Sequence, residues 1–164
     1  MNRIIWLEDN SSNIIEEIVV CQKYNYTVKI CQQPRQLISN LIEYGNEVRL
    51  VIIDIMLRGV IGLDDIGITD SDTDRGFRAG WNIIDRVLRP NSVAYLPSSI
   101  KSIDRKIPVL IVSTKPIREK DNKIINYFNE RYPESPKIIY IEKNQMDDSN
   151  EVAIEKFEQY IKNL

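Results

Sequence analysis

Short apolar runs alternate with segments of helical period along the whole chain. Ile4-Ile5-Trp6-Leu7 is the first run, and it stops at Glu8-Asp9-Asn10. Behind it Ile14, Ile15, Ile18 and Val19 form an apolar face at i, i+1, i+4, i+5 spacing, with Ser11, Ser12 or Asn13 as cap, which predicts a helix. Thr27-Val28-Lys29-Ile30-Cys31 alternates as an edge strand does. Leu37, Ile38, Leu41 and Ile42 mark a second helix, ended by Gly45. Leu50-Val51-Ile52-Ile53 is the most apolar run and closes on Asp54; without polar alternation it predicts a central parallel strand covered on both faces.

Residues 58–75 are rich in Gly, Asp, Ser and Thr and have no period, so they read as a loop. Residues 80–89 read as a helix through Trp81, Ile84, Val87 and Leu88, broken by Pro90, and residues 91–106 as a second irregular stretch. Val109-Leu110-Ile111-Val112 is a strand entering Ser113-Thr114. Residues 118–131 are a helix with Ile124, Ile125 and Phe128 inward. Ile138-Ile139-Tyr140-Ile141 is the last strand, leading to Glu142-Lys143, and residues 150–163 are the closing helix. Five βα units in a row imply an α/β fold, a parallel sheet with helices on both faces and right-handed crossovers. Five strands favour the flavodoxin-like doubly wound (βα)5 sheet, order 2-1-3-4-5.

Composition narrows the chemistry. The 164 residues suit a single domain, with insertions at about 58–75 and 90–106 and no room for a separate output or DNA-binding domain. Lys plus Arg is 22 against 24 for Asp plus Glu, so no large basic face for nucleic acid is expected. The histidine count is zero, which removes Ser-His-Asp and Cys-His catalysis, His-ligated zinc and the usual general base. Cys21 and Cys31 are too few for a disulfide framework and read as buried thiols. Neither a signal peptide nor a membrane span is legible, so a cytoplasmic location is expected.

In sheets of this kind the site lies beyond the carboxyl ends of the strands. The first strand brings Glu8 and Asp9 there, the third Asp54, the fourth Ser113 and Thr114, the fifth Lys143; Gln32-Gln33 after the second is unremarkable. Three carboxylates in one place repel, and a hard divalent cation, Mg²⁺ or Mn²⁺, resolves the conflict. A carboxylate beside such an ion can attack a phosphoryl group, a reaction that needs alignment and charge neutralisation. Lys143 then serves the phosphoryl oxygens as a cation, and the Ser113 and Thr114 hydroxyls as hydrogen-bonding groups.

These stretches, Ile4 to Asn10, Leu50 to Leu57, Ile107 to Ser113 and Tyr140 to Lys143, resemble a response-regulator receiver domain of bacterial two-component signalling. The resemblance implies that Asp54 is the phosphoacceptor. It implies that Glu8, Asp9, Asp54 and the backbone carbonyl of Met56 hold the metal, and that Ser113, Thr114 and Lys143 bind the phosphoryl group. Ser113 and Tyr140 match the switch positions. A sensor histidine kinase or phosphotransfer protein would be the donor, and an unknown downstream protein or a second copy the reader; no catalysis beyond self-phosphorylation and its loss is implied. The chain departs from the family at Asn144, where Pro after a cis peptide is usual, and in its long segment before the 80–89 helix.

Other functions stay open. A degenerate receiver would act as a phosphorylation-independent interaction module. A Mg²⁺-dependent phosphatase wants a second Asp at position 56, which is Met, and a flavodoxin wants a hydroxyl- or Gly-rich loop after the first strand. Asp70, Asp72 and Asp74 form D-x-D-x-D, but Arg75 and Trp81 stand where a Ca²⁺ loop needs Gly and Glu, so a solvated acidic loop is expected. Two further expectations concern motion: residues 58–75 act as a mobile cover over the site, and Ser113 must move inward to reach a phosphoryl group while Tyr140 turns in from solvent.

Overall fold

The protein is described by a computed structural model covering residues 2–57, 63–76, 78–143 and 149–164. Five parallel strands form one sheet in the order β2-β1-β3-β4-β5: β1 (Arg3–Leu7), β2 (Thr27–Cys31), β3 (Val48–Ile53), β4 (Val109–Ser113) and β5 (Ile139–Glu142). This is the flavodoxin-like order expected from the pattern. The three inner strands are apolar on both faces because both faces are covered. Ile4, Trp6, Leu50, Ile52, Leu110 and Val112 point into one layer, with Cys21, Phe157 and Ile161. Ile5, Leu7, Val51, Ile53, Val109 and Ile111 point into the other, with Leu37, Leu41, Ile84, Val87 and Phe128. Each fully buried aliphatic side chain of this kind contributes about 1.5–3 kcal/mol.

Helices α1 (Ile15–Lys23) and α7 (Ser149–Lys162) cover the first face. Helices α2 (Pro34–Tyr44), α4 (Ala79–Ile83, continuing as a π-helix over Ile84–Leu88) and α6 (Glu119–Arg131) cover the second. Two single-turn helices, α3 (Asp70–Thr73) and α5 (Ser98–Lys101), lie in the stretches read as irregular. None of the helices among the described residues is long and apolar enough to cross a membrane. Cys21 and Cys31 are buried free thiols, as expected.

Three expectations need correction. The apolar face of α1 is not the one read from spacing: Ile15 and Val19 are 62% and 59% exposed. Residues 11–14 are a 3₁₀ turn capped by the Asn10 side chain, and the side chains packed inward here and on α1 are Ile14, Glu17, Val20 and Cys21. Second, residues 63–76 are not structureless. Leu63 and Ile68 bridge, Leu63, Ile66 and Ile68 enter the core, and Arg35 on α2 grips the Asp65 carboxylate at both oxygens. This part of the expected mobile cover is anchored by packing; residues 58–62 lie outside the described residues. Asp72 of the D-x-D-x-D stretch caps α3, accepting from the Thr69 N–H at 2.8 Å and the Thr69 hydroxyl at 2.7 Å. Third, within 91–106 Ile100 and Ile103 are core residues, and buried Arg105 donates to the Ile100 carbonyl at 2.7 Å.

Gly80 locks α4 to the strand that ends at Asp54. Its N–H donates to the Ile55 carbonyl at 3.1 Å, and a Cβ built on it would meet the Asp54 carbonyl oxygen at 2.5 Å and Ile55 Cα at 2.7 Å. Both obstacles are backbone, so a side chain forces the helix off the strand end. Gly80→Ala is therefore expected to destabilise the protein by about 1–3 kcal/mol, as overpacking does. The gain in helix propensity, near 1 kcal/mol, works in the opposite direction and loses. Urea unfolding of the two proteins checks this: an unchanged or higher midpoint would show that the contact is not tight.

Candidate functional site

The sheet ladder places the strand ends side by side. The Asp54 N–H donates to the Leu7 carbonyl and the Glu8 N–H to the Cys31 carbonyl, both at 3.0 Å; the Lys143 N–H donates to the Ser113 carbonyl at 2.8 Å. The residues that follow β1, β3, β4 and β5 thus meet at one edge, around a cavity of about 610 Å³. Glu8, Asp9, Asp54, Met56, Ser113, Thr114 and Lys143 all line it. So do Gln32 and Gln33, which the sequence reading set aside, and Arg75 and Gly76 from the long segment after β3.

Carboxylate oxygens of Glu8, Asp9 and Asp54 lie within 4.8 Å of one another. Asp54 is buried, and its Oδ1 accepts from the Ser113 hydroxyl at 2.6 Å and the Met56 N–H at 3.1 Å. Burial raises the Asp54 carboxyl above its ordinary range; those two hydrogen bonds oppose the shift and Asp9 adds to it. Burial also pushes Glu8 up to about 7, against the Asn10 N–H that its Oε1 accepts at 3.0 Å. A cluster of hard oxygen donors in which burial penalises the charged forms of Glu8 and Asp54 fits a hard divalent cation of the Mg²⁺ type. The Met56 backbone sits beside Asp54 and lines the cavity, where its carbonyl could complete such a set.

Lys143 borders the cavity, but its ammonium faces α1. Its Nζ lies 2.6 Å from Glu17 Oε1 and donates to the Asn13 carbonyl. Glu17, which sequence reading missed, is thus brought to the edge of the site by its pair with Lys143. The signal was present: Glu17 falls between Ile14 and Cys21 at i+3 and i+7, so it is a charge in the inward stripe.

Ser113 and Tyr140, the expected switch positions, both make hydrogen bonds at this edge of the sheet. Ser113 is 2% exposed, and its hydroxyl donates to Asp54 Oδ1. Tyr140 is half-buried, and its hydroxyl donates to the Lys115 carbonyl at 2.6 Å rather than standing in solvent. Burial raises the phenol above its ordinary range, with the Asp121, Asp54 and Glu142 carboxylates as smaller causes. Thr114 is exposed at the cavity rim, and Asn144 lies outside the described residues.

Comparison with solved structures decides the fold. A receiver-protein N-terminal domain from Methanoculleus marisnigri JR1 matches over 95% of each chain, with TM-score 0.54 and 16% identity. A receiver domain from Rhodospirillum rubrum matches over 99% of this chain and 94% of its own, with TM-score 0.53 and 14% identity. This chain has the receiver fold. A response regulator from Desulfuromonas acetoxidans agrees, with TM-score 0.52 and 9% identity over 100% of this chain and 99% of its own. No family model matches the chain, and no curated protein does. On this receiver fold the acidic cluster stands at the carboxyl edge of the sheet.

The cluster has a pH signature. A carboxyl with a raised folded pKa binds more protons folded than unfolded. Without divalent cation its contribution to stability is fullest below about pH 4.5 and is lost as the pH rises through 7. A cation needs the ionised form, so its stabilising effect grows over the same range. Saturating Mg²⁺ is expected to raise the melting temperature more at pH 8 than at pH 5, and Asp9→Asn to remove most of the gain. Equal gains at both pH values would place the ion elsewhere.

Proposed function

We propose that the chain is a phosphoacceptor receiver in a two-component relay and that Asp54 carries the phosphoryl group. One observation carries the reading: Asp54, at the end of the central strand β3, has Glu8, Asp9 and the Ser113 hydroxyl around its carboxylate in the lining of an open cavity. Burying a carboxylate there is costly unless it is compensated or used.

An oxygen of Asp54 attacks phosphorus. The new O–P bond forms as the bond to the donor breaks, and the electron pair leaves with the donor's oxygen or imidazole nitrogen. Glu8, Asp9, Asp54 and the Met56 carbonyl would hold Mg²⁺, which would supply neutralisation of charge on the phosphoryl oxygens. Ser113, hydrogen-bonded to Asp54, is within reach of the transferred group, and Thr114 at the rim offers a second hydroxyl. The donor is a sensor histidine kinase, a phosphotransfer protein or a small phosphodonor, and the setting is the cytoplasm. A downstream protein or a second copy reads the altered face formed by α6, β5 and α7. One observation favours the alternative, a phosphorylation-independent interaction module: Ser113 and Tyr140 already occupy inward, hydrogen-bonded positions.

Incubation with Mg²⁺ and acetyl phosphate should add the mass of one phosphoryl group to the intact protein. The adduct should vanish with EDTA and in Asp54→Asn. Labelling that persists in Asp54→Asn overturns the assignment, and a parent protein that never labels favours the interaction module.

A further inference from the structure

The cavity carries three carboxylates in its lining cluster, Glu8, Asp9 and Asp54. A fourth stands behind its wall. Glu17 is 3% exposed on the inward side of α1 and pairs with Lys143 at 2.6 Å, both side chains being nearly dry. Attraction inside protein is weakly screened, so this pair is tight. An ammonium has three N–H donors, and Glu17 and the Asn13 carbonyl engage two of them from the α1 side. The cation that borders the phosphoryl site is thus held by a helix that carries none of the other site carboxylates.

We infer that Glu17 is a positioning residue that restrains Lys143, holding its ammonium against α1 and cancelling much of its charge toward Asp54. The inference rests on the reading of Asp54 as phosphoacceptor. A phosphodonor brings negative charge into a cavity already rich in carboxylates. Lys143 offers its full charge only by sharing its ammonium away from Glu17, and a buried carboxylate that loses its partner is costly. The restraint therefore slows phosphoryl acceptance. During transfer Lys143 gives a hydrogen bond to a phosphoryl oxygen and keeps its proton. The O–P bond to Asp54 forms, and the bond to the leaving acetate breaks with its electron pair.

Glu17→Gln keeps the volume and an acceptor for Lys143 and removes the negative charge. With acetyl phosphate and Mg²⁺, the initial rate of Asp54 labelling by intact mass should rise about tenfold over the parent. Damage to the fold slows such a reaction, so acceleration is a readout that a merely structural role does not produce. In a Lys143→Met background the same substitution should change the rate by less than about twofold, because the restrained group is gone. A parent that labels, with Glu17→Gln equal or slower, overturns this inference alone. A parent that does not label overturns the phosphoacceptor reading and this inference with it. Should Glu17→Gln fail to fold, the lysine-ammonium NMR signal of Lys143 in the parent decides. A held ammonium exchanges slowly with water, so a resolved Lys143 signal is expected, and a signal lost to solvent exchange as for an exposed lysine overturns the restraint.

Discussion

Asp54 is a carboxylate at the end of a strand that protein covers on both faces, and its compensation organises the surrounding structure. The Ser113 hydroxyl and the Met56 N–H converge on one of its oxygens. Gly80 lets α4 press on the backbone of the same residue with no side chain between. Glu8 and Asp9 approach from β1 although they repel it, and burial holds Glu8 and Asp54 above their ordinary pKa ranges. Such an arrangement is uncomfortable as it stands and comfortable around a divalent cation and an incoming phosphoryl group.

Much of this was legible before any coordinates. Uninterrupted apolar runs named the covered strands, the alternating run named β2 as an edge, and the residues just after each strand named the cluster. What was not legible came from local geometry without a composition signature. A 3₁₀ turn at 11–14 precedes α1, whose Ile15 and Val19 are exposed although their spacing put them inside. The segment after β3 looked structureless because its apolar residues, Leu63, Ile66 and Ile68, are spaced for turns rather than for a helix or strand. Ser113 and Tyr140 were identified as residues, but their hydrogen bonds to Asp54 and Lys115 depend on loop geometry that sequence does not carry.

The comparisons fit this division. The receiver fold persists over nearly the whole chain at 16% identity or less, because apolar layers and parallel pairing tolerate many sequences. The site chemistry is distributed over strand ends far apart in sequence, so it forms no contiguous motif. Helix α1 joins the core to the site: Cys21 packs on the sheet and Glu17 pairs with Lys143.

The central claim is that the cluster at the strand ends is a joint site for a divalent cation and a phosphoryl group on Asp54. Crystals grown with Mn²⁺ and beryllofluoride test it most directly, through the anomalous signal of manganese. The account predicts one manganese peak bonded to oxygens of Glu8, Asp9 and Asp54 and the Met56 carbonyl, with beryllofluoride density on Asp54. A manganese peak elsewhere, or full occupancy of both ligands away from Asp54, would contradict it.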